Sequence, residues 1–556
     1  MSKNDIILRN PKQGALVKAT QQSQTFLTLL QQSDERRLVD ILKSIDFADA
    51  TRLISSLEHI EWTVEFIEKY AEYWNWGWLS CNKALPWSIE LIERFEERWD
   101  WKELSRNKTL PWSMELIERF EDSWNWEYGG LSGNEALPWS IELIECFEDR
   151  WDWWELSANK ALPWSMELIE RFEERWDWES LSNNKDLPWS MELIERFEER
   201  WDWESLSNNK DLPWSMELIE RFEERWDWES LSNNKDLPWS MELIERFEER
   251  WVWDEYEFSN GGLSGNEALP WSMELIERFE DHWDWVKLSG NKALPWSIEL
   301  IERTEEHLKR IFIEVTDDPF ALYGGAVQFY GLSSNEGLPW SMELIERFEE
   351  SLNFKLLSSN EGLPWSMELI ERFKTRWDWR ELSDNKALPW SMELIERFED
   401  SWKYDYYYSD SYIIREEHYG LSINEALPWS MELIERFEDR WDWWSLSGNE
   451  ALPWSMELIE RFEECWGWRR LSGNKALPWS IELIERFEER WNWSEYGVGL
   501  SKNKALPWSI DLLEKFKYKW GWWWLADNEK AQQIFTALSV QGIEEVMDYH
   551  IENENS

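Results

Sequence analysis

The sequence predicts an all-α solenoid, on three observations. The tetrapeptide L-P-W-S recurs sixteen times, and ten of the fifteen spacings between its Trp residues are 25 residues. Each 25-residue unit also holds two stretches with helical apolar spacing. A degenerate copy puts Trp62 in the same frame, 25 residues before Trp87, for about seventeen units in all. Units 164–188, 189–213 and 214–238 are identical letter for letter.

The middle copy, WSMELIERFEERWDWESLSNNKDLP over 189–213, can be justified element by element. Ser190 follows Pro-Trp as a helix N-cap, and Glu192 sits in the first turn, where the helix dipole favours an acid. Leu193, Ile194, Phe197 and Trp201 form one apolar stripe. Glu192 and Arg196 are spaced for an i,i+4 ion pair on the outer face. Asp202 can cap a second, shorter helix with Trp203 and Leu206 inward. Asn209 is placed to end that helix, and Pro213 blocks its continuation. Two short antiparallel helices per unit, stacked on their neighbours, make an α-solenoid.

The alternative is a leucine-rich-repeat-like α/β solenoid, since L-S-x-N, L-P and the 25-residue period suit one. Its strand would point the residue five before the Asn into the core. That residue is Glu204 here, and Glu179, Glu229 or Lys102 in other copies. A charge cannot face such a core without a partner. Trp203 instead obeys helical spacing.

The recurring string W-x-W-x-x-L-S-x-N-x-x-L-P-W-S covers nearly everything from Trp62 to Asn528. It resembles the Trp-rich short tandem repeats with W-x-x-L-S-x-N and L-P-W-S cores found in bacterial and large-virus proteins. The resemblance implies a helical array and carries no activity with it.

Five spacings exceed the period, and each extra segment enters after W-x-W and before L-S-x-N. The inserts are Glu127–Gly130, Asp254–Gly262, Thr304–Gly331, Lys403–Gly420 and Ser494–Gly499, and each ends in Gly. Insertions at one repeat position emerge along one edge of a solenoid, commonly its binding side. Eleven of the fifteen Tyr lie in them: Tyr128, Tyr256, Tyr323, Tyr330, Tyr404, Tyr406, Tyr407, Tyr408, Tyr412, Tyr419 and Tyr496. Tyr with Gly and Ser gives large contact area at low entropic cost, so these eleven are the candidate partner-binding residues. The bland alternative is loop expansion, with Tyr covering the Trp core. Alternation in the longest insert predicts a β-hairpin around Thr316–Pro319. Its host unit has Thr304 for the Phe, Leu308 for the first Trp and Arg310 for the second, which suggests a joint.

The predicted organisation is therefore an N-terminal helical cap (1–55), a first solenoid segment (56–303), a long insert (304–331), a second segment (332–527) and a C-terminal helical cap (528–556). The first 55 residues carry net +2 and the remainder −57. Capping is the expected role of both ends, with an interaction helix in 1–55 as the alternative.

The chain has 556 residues, 51 of them Trp, with 114 acidic against 59 basic side chains and net charge −55. Nucleic acid is disfavoured as a direct partner, because its affinity comes from Lys and Arg neutralising phosphates. No apolar window is long enough for a membrane span, and the start lacks a signal-like pattern, so a cytoplasmic location is expected. Three Cys and five His form no metal-ligand spacing, no phosphate loop or nucleophile elbow occurs, and no cofactor is implied. The recurring Asn are expected to satisfy turn backbone groups, and the Trp to pack as core. Copied units make a surface of adjustable length, whereas an active site needs an asymmetric constellation, so no enzyme is expected.

Three functions follow. The leading one is a scaffold binding a protein partner, for which a basic one suits the charge, through the Tyr-rich inserts. The second is an acidic decoy for a nucleic-acid-binding protein, since each consensus unit carries net −4. The third is a structural spacer. Nothing in the sequence indicates self-association.

Overall fold

The computed structural model describes residues 32–253, 262–304, 307, 331–350, 352–404, 406–409, 416–494 and 499–554. Among them the repeats are pairs of short helices stacked on their neighbours, an all-α solenoid. The L-S-x-N segment is helical, as in Trp203–Asn208, which removes the leucine-rich alternative. The described strands are Tyr406–Ser409 and Glu416–Tyr419, an antiparallel hairpin in one insert. The hairpin expected near Thr316–Pro319 lies outside the described residues.

In the consensus unit the helices are Met191–Arg196 and Trp203–Asn208. Six residues are far too few for a helix to persist alone, so capping and packing must hold each one. Ser190 accepts from Leu193 N and Asp202 from Ser205 N, as the sequence predicts. Leu193, Ile194, Phe197, Trp201 and Leu206 are buried.

Helices this short leave most of their carbonyls open. Tryptophan closes one of them, and two more in the adjoining turns, in every consensus unit. The indole N–H of Trp201 donates to Ile194 O at 3.1 Å, that of Trp203 to Glu198 O at 3.0 Å, and that of Trp214 to Asn209 O at 3.0 Å. Phenylalanine could fill the same space but could not donate. The Trp content is thus a backbone requirement as well as a core one.

Successive units are joined by apolar and polar contacts. Trp203 packs on Phe222 and edge-on against Trp226 of the next unit, with centroids 5.3 and 4.9 Å away. Asn209 donates to Ser182 O of the preceding unit at 2.8 Å while its own side-chain oxygen accepts from Asp211 N at 2.9 Å. Ser207 donates to Trp203 O at 2.6 Å and accepts from Asp227 N of the next unit at 3.0 Å. The Asn does satisfy its turn, as expected, but it also reaches across the interface.

One sequence expectation is corrected. Arg196 does not pair along its own helix with Glu192 but reaches Glu170 of the preceding unit at 2.7 Å. Arg200 likewise engages Glu173, at 3.0 Å, and Glu174. Stacking brings these acids closer than the helix does. Exposed pairs of this kind add little energy, so they serve alignment more than stability.

The chain forms two compact units, one combining residues up to Asn125 with those from Trp454, the other Trp126–Pro453. The long insert, expected to separate two segments, falls inside the second. Its residues 305, 306 and 308–330, including Leu308 and Arg310, lie outside the described residues.

In the first unit the two terminal segments meet, where the sequence suggests caps on separate ends. Helix Phe47–Ser55 packs on helix Trp522–Ala526 and imitates the second helix of a repeat. Ser55 donates to Thr51 O at 2.7 Å, accepts from Asn75 N at 3.2 Å, and offers its carbonyl to Asn82 at 2.9 Å, the pattern of Ser207. Helix Val540–Glu554 lies against helical residues 32–44. Arg36 and Lys43 both reach Glu545, and His550 contacts Leu42 O at 2.9 Å. Arg37 bonds Glu514 at 2.9 Å. Arg36, Arg37 and Lys43 thus face C-terminal acids.

Candidate functional site

The inserts leave from the first turn of the second helix, and the repeat's own hydrogen bonds close behind them. In a plain unit Leu206 N donates to Asp202 O at 2.9 Å. Across three inserts the equivalent bonds, Leu263 N to Val252 O, Leu421 N to Lys403 O and Leu500 N to Asn492 O, are also 2.9 Å. The serine bond persists as well, from Ser264 to Trp253 O and from Ser501 to Trp493 O, both 2.6 Å. The scaffold therefore registers these three inserts only as a lost helical turn.

The terminal glycine makes this closure fit. Gly420 has φ of +117°, and a Cβ there would lie 2.6 Å from Lys403 O; at Gly262 φ is +54° and the approach to Val252 O is 2.4 Å. Gly420→Ala is expected to cost about 2 kcal/mol or more, through backbone strain and the clash. Faster hydrogen exchange at the Leu421 amide would register it, and unchanged exchange would refute the account.

Of the candidate tyrosines, Tyr128 is 70% exposed and stands in the insert Glu127–Gly130. Its ring lies 6.0 Å from that of Trp154, itself 54% exposed. Gly129, with φ of +67°, donates its N–H to Glu155 Oε1 at 2.7 Å and so folds the insert onto the following unit. Tyr406, Tyr407, Tyr408 and Tyr419 belong to the hairpin backbone, Tyr406 opposite Tyr419 and Tyr407 opposite His418. Tyr256, Tyr323, Tyr330, Tyr412 and Tyr496 lie outside the described residues.

Tyr404 is a correction. It is buried and takes the place of the second Trp of W-x-W, packing on Phe437 and edge-on against Trp441 at 5.1 Å. A core ring cannot reach a partner. Its hydroxyl is buried without a hydrogen-bond partner, and burial pushes its pKa up to about 12. Tyr404→Phe is therefore expected to stabilise the protein by about 1 kcal/mol, read as a higher denaturation midpoint. A loss of stability would show that the hydroxyl is satisfied.

Three exposed tryptophans escaped the sequence reading: Trp154, Trp444 and Trp523. Each stands where the consensus has Glu204, and each belongs to the unit directly after an insert. That coincidence was the available signal. The last insert rests on such a unit: Trp524, beside Trp523, donates to Ser494 O at 2.8 Å.

Glu192, Glu204 and Asp211 stay exposed in the plain unit. Among the described residues no group of His, Cys, Asp and Glu is arranged to hold a metal ion, and no helix is long and apolar enough to cross a membrane. No family model, curated protein or solved structure matches the chain.

Proposed function

We propose that this chain is a non-enzymatic, cytoplasmic scaffold that holds a protein partner on the insert-bearing side of its second-helix row. The observation that supports it most is the common exit point, at which inserts of very different length close on the same repeat hydrogen bonds. A rigid support with variable loops concentrates recognition in the loops. The exposed Tyr128–Trp154 pair adds aromatic contact area of the kind that dominates protein interfaces.

The decoy reading rests on a different observation, the exposed acids repeated in every identical unit. Salt separates the two. The intact chain and a variant with Glu127–Gly130 and Lys403–Gly420 replaced by the plain-unit sequence should be compared as baits. The scaffold reading expects a protein that survives several hundred millimolar salt on the intact bait and is lost from the trimmed one. Equal retention by both baits, with release by salt, favours the decoy and overturns the scaffold.

A further inference from the structure

We infer that Trp154, with Tyr128 beside it, is a receptor for an arginine side chain of the protein partner. This deepens the scaffold reading and rests on it. The structure contains its own precedent in the terminal joint. Trp523, at the same frame position, carries the guanidinium of Arg52 over its ring at 3.9 Å. Arg52 comes from helix Phe47–Ser55, the element stacked next in the row. On the neighbouring position Lys502 stands 3.7 Å over the ring of Trp524. Indoles on this row of second helices therefore take cations from adjacent helices.

Trp154 has the same frame position but a different neighbour. By the serine register, Arg52 occupies in its helix the position that Glu179 occupies in the unit after Trp154. Glu179 is exposed. A carboxylate does not cover an indole face as a guanidinium does, yet it strengthens the attraction for a cation arriving there. Tyr128 supplies a second ring 6.0 Å away, tilted 39° to the first. The occupant that fits is an arginine projecting from a partner helix, in the manner of Arg52. Arginine suits the site better than lysine because its planar guanidinium stacks on an aromatic face and is more weakly hydrated. Net charge −55 draws a basic segment to the surface, and the aromatic pair selects where it settles.

The test uses Trp154→Glu in the full chain. The change restores the residue that three identical units carry, so folding is preserved. It also separates the aromatic contribution from charge, because it makes the site more acidic. The probe is a fluorescently labelled helical peptide of alanines with one central arginine and flanking lysines, titrated in 0.3 M salt and read by anisotropy. Trp154→Glu is expected to weaken binding roughly five-fold, the loss of a cation–π contact. Glutamine in place of the central arginine should weaken binding to the unaltered chain similarly and add nothing further in the variant. Unchanged or tighter binding by Trp154→Glu, or equal binding of the arginine and glutamine peptides, overturns the assignment. The baits described above keep the two readings apart. A partner lost on trimming the inserts but held by Trp154→Glu refutes the arginine site alone, while a partner held by every bait refutes the insert scaffold itself.

Discussion

Asn209→Ala is expected to destabilise its stretch of the array by about 2–3 kcal/mol, far more than a surface change in the same turn. The substitution removes a buried amide and leaves two groups without a partner, the Ser182 carbonyl and the Asp211 N–H. A buried carbonyl deprived of its hydrogen bond costs about 1–3 kcal/mol, and the partly exposed Asp211 N–H adds a smaller share. Lys210→Ala, one residue away and exposed, should stay within about 0.5 kcal/mol of the parent. Hydrogen exchange resolved along the chain is the suitable readout, because stability in an array is a sum of local and nearest-neighbour terms. Protection should fall in 203–212 and in the preceding second helix, Trp178–Asn183, while distant units keep theirs. A purely local loss within 209–212 would mean that the cross-unit bond contributes nothing.

Removing residues 539–556 should have a still larger effect on the opposite end of the sequence. Ile543, Val546 and Met547 are fully buried, and Gly542 lies so close to Val39 that a Cβ would sit 3.2 Å from its methyl group. Stripping that cover exposes apolar side chains worth about 1.5–3 kcal/mol each, on the order of 5 kcal/mol together. Residues 32–58 should then become sensitive to limited proteolysis, although none of them has been altered. The same joint should loosen in acid. Hydrogen bonding to Lys43, aided by Arg36, holds the Glu545 carboxyl below its ordinary value of 4.5. A depressed carboxyl contributes stability above its unfolded pKa and loses it as pH falls through the folded one. Hydrogen exchange of 32–58, referenced to an unstructured peptide at each pH, should therefore accelerate below about pH 4.5. Indifference to both truncation and acid would disprove the joint.

Much of the fold was legible because it is local. Ser190 and Asp202 cap helices by their own side chains, and the Leu193–Trp201 stripe needs only helical spacing. The cross-unit partners were not legible, since Arg196 chooses between Glu192 and Glu170 by stacking geometry that no spacing rule contains. The terminal joint hid for a related reason. Helix Phe47–Ser55 keeps the bridging serine but has Thr51 where the repeat has Trp, so it breaks the motif while preserving the interface. In the candidate surface, Tyr404 is legible as core from the spacing Trp402-x-Tyr404, which keeps the W-x-W frame. Trp154 shows the converse, an aromatic whose meaning lay in which unit it follows.

The hydrogen bonds that close behind these three inserts make the second-helix turn a grafting socket. The nine residues of Asp254–Gly262 and the sixteen between Tyr404 and Leu421 enter through the same pair of bonds. Doubling a flexible loop adds only about 0.6 kcal/mol of closure entropy. A foreign peptide set between the second Trp and a Gly-Leu-Ser ending would inherit that tolerance, and identical units offer the same socket at 25-residue intervals. Valency and spacing of displayed peptides would then be written directly as the choice of units that carry them.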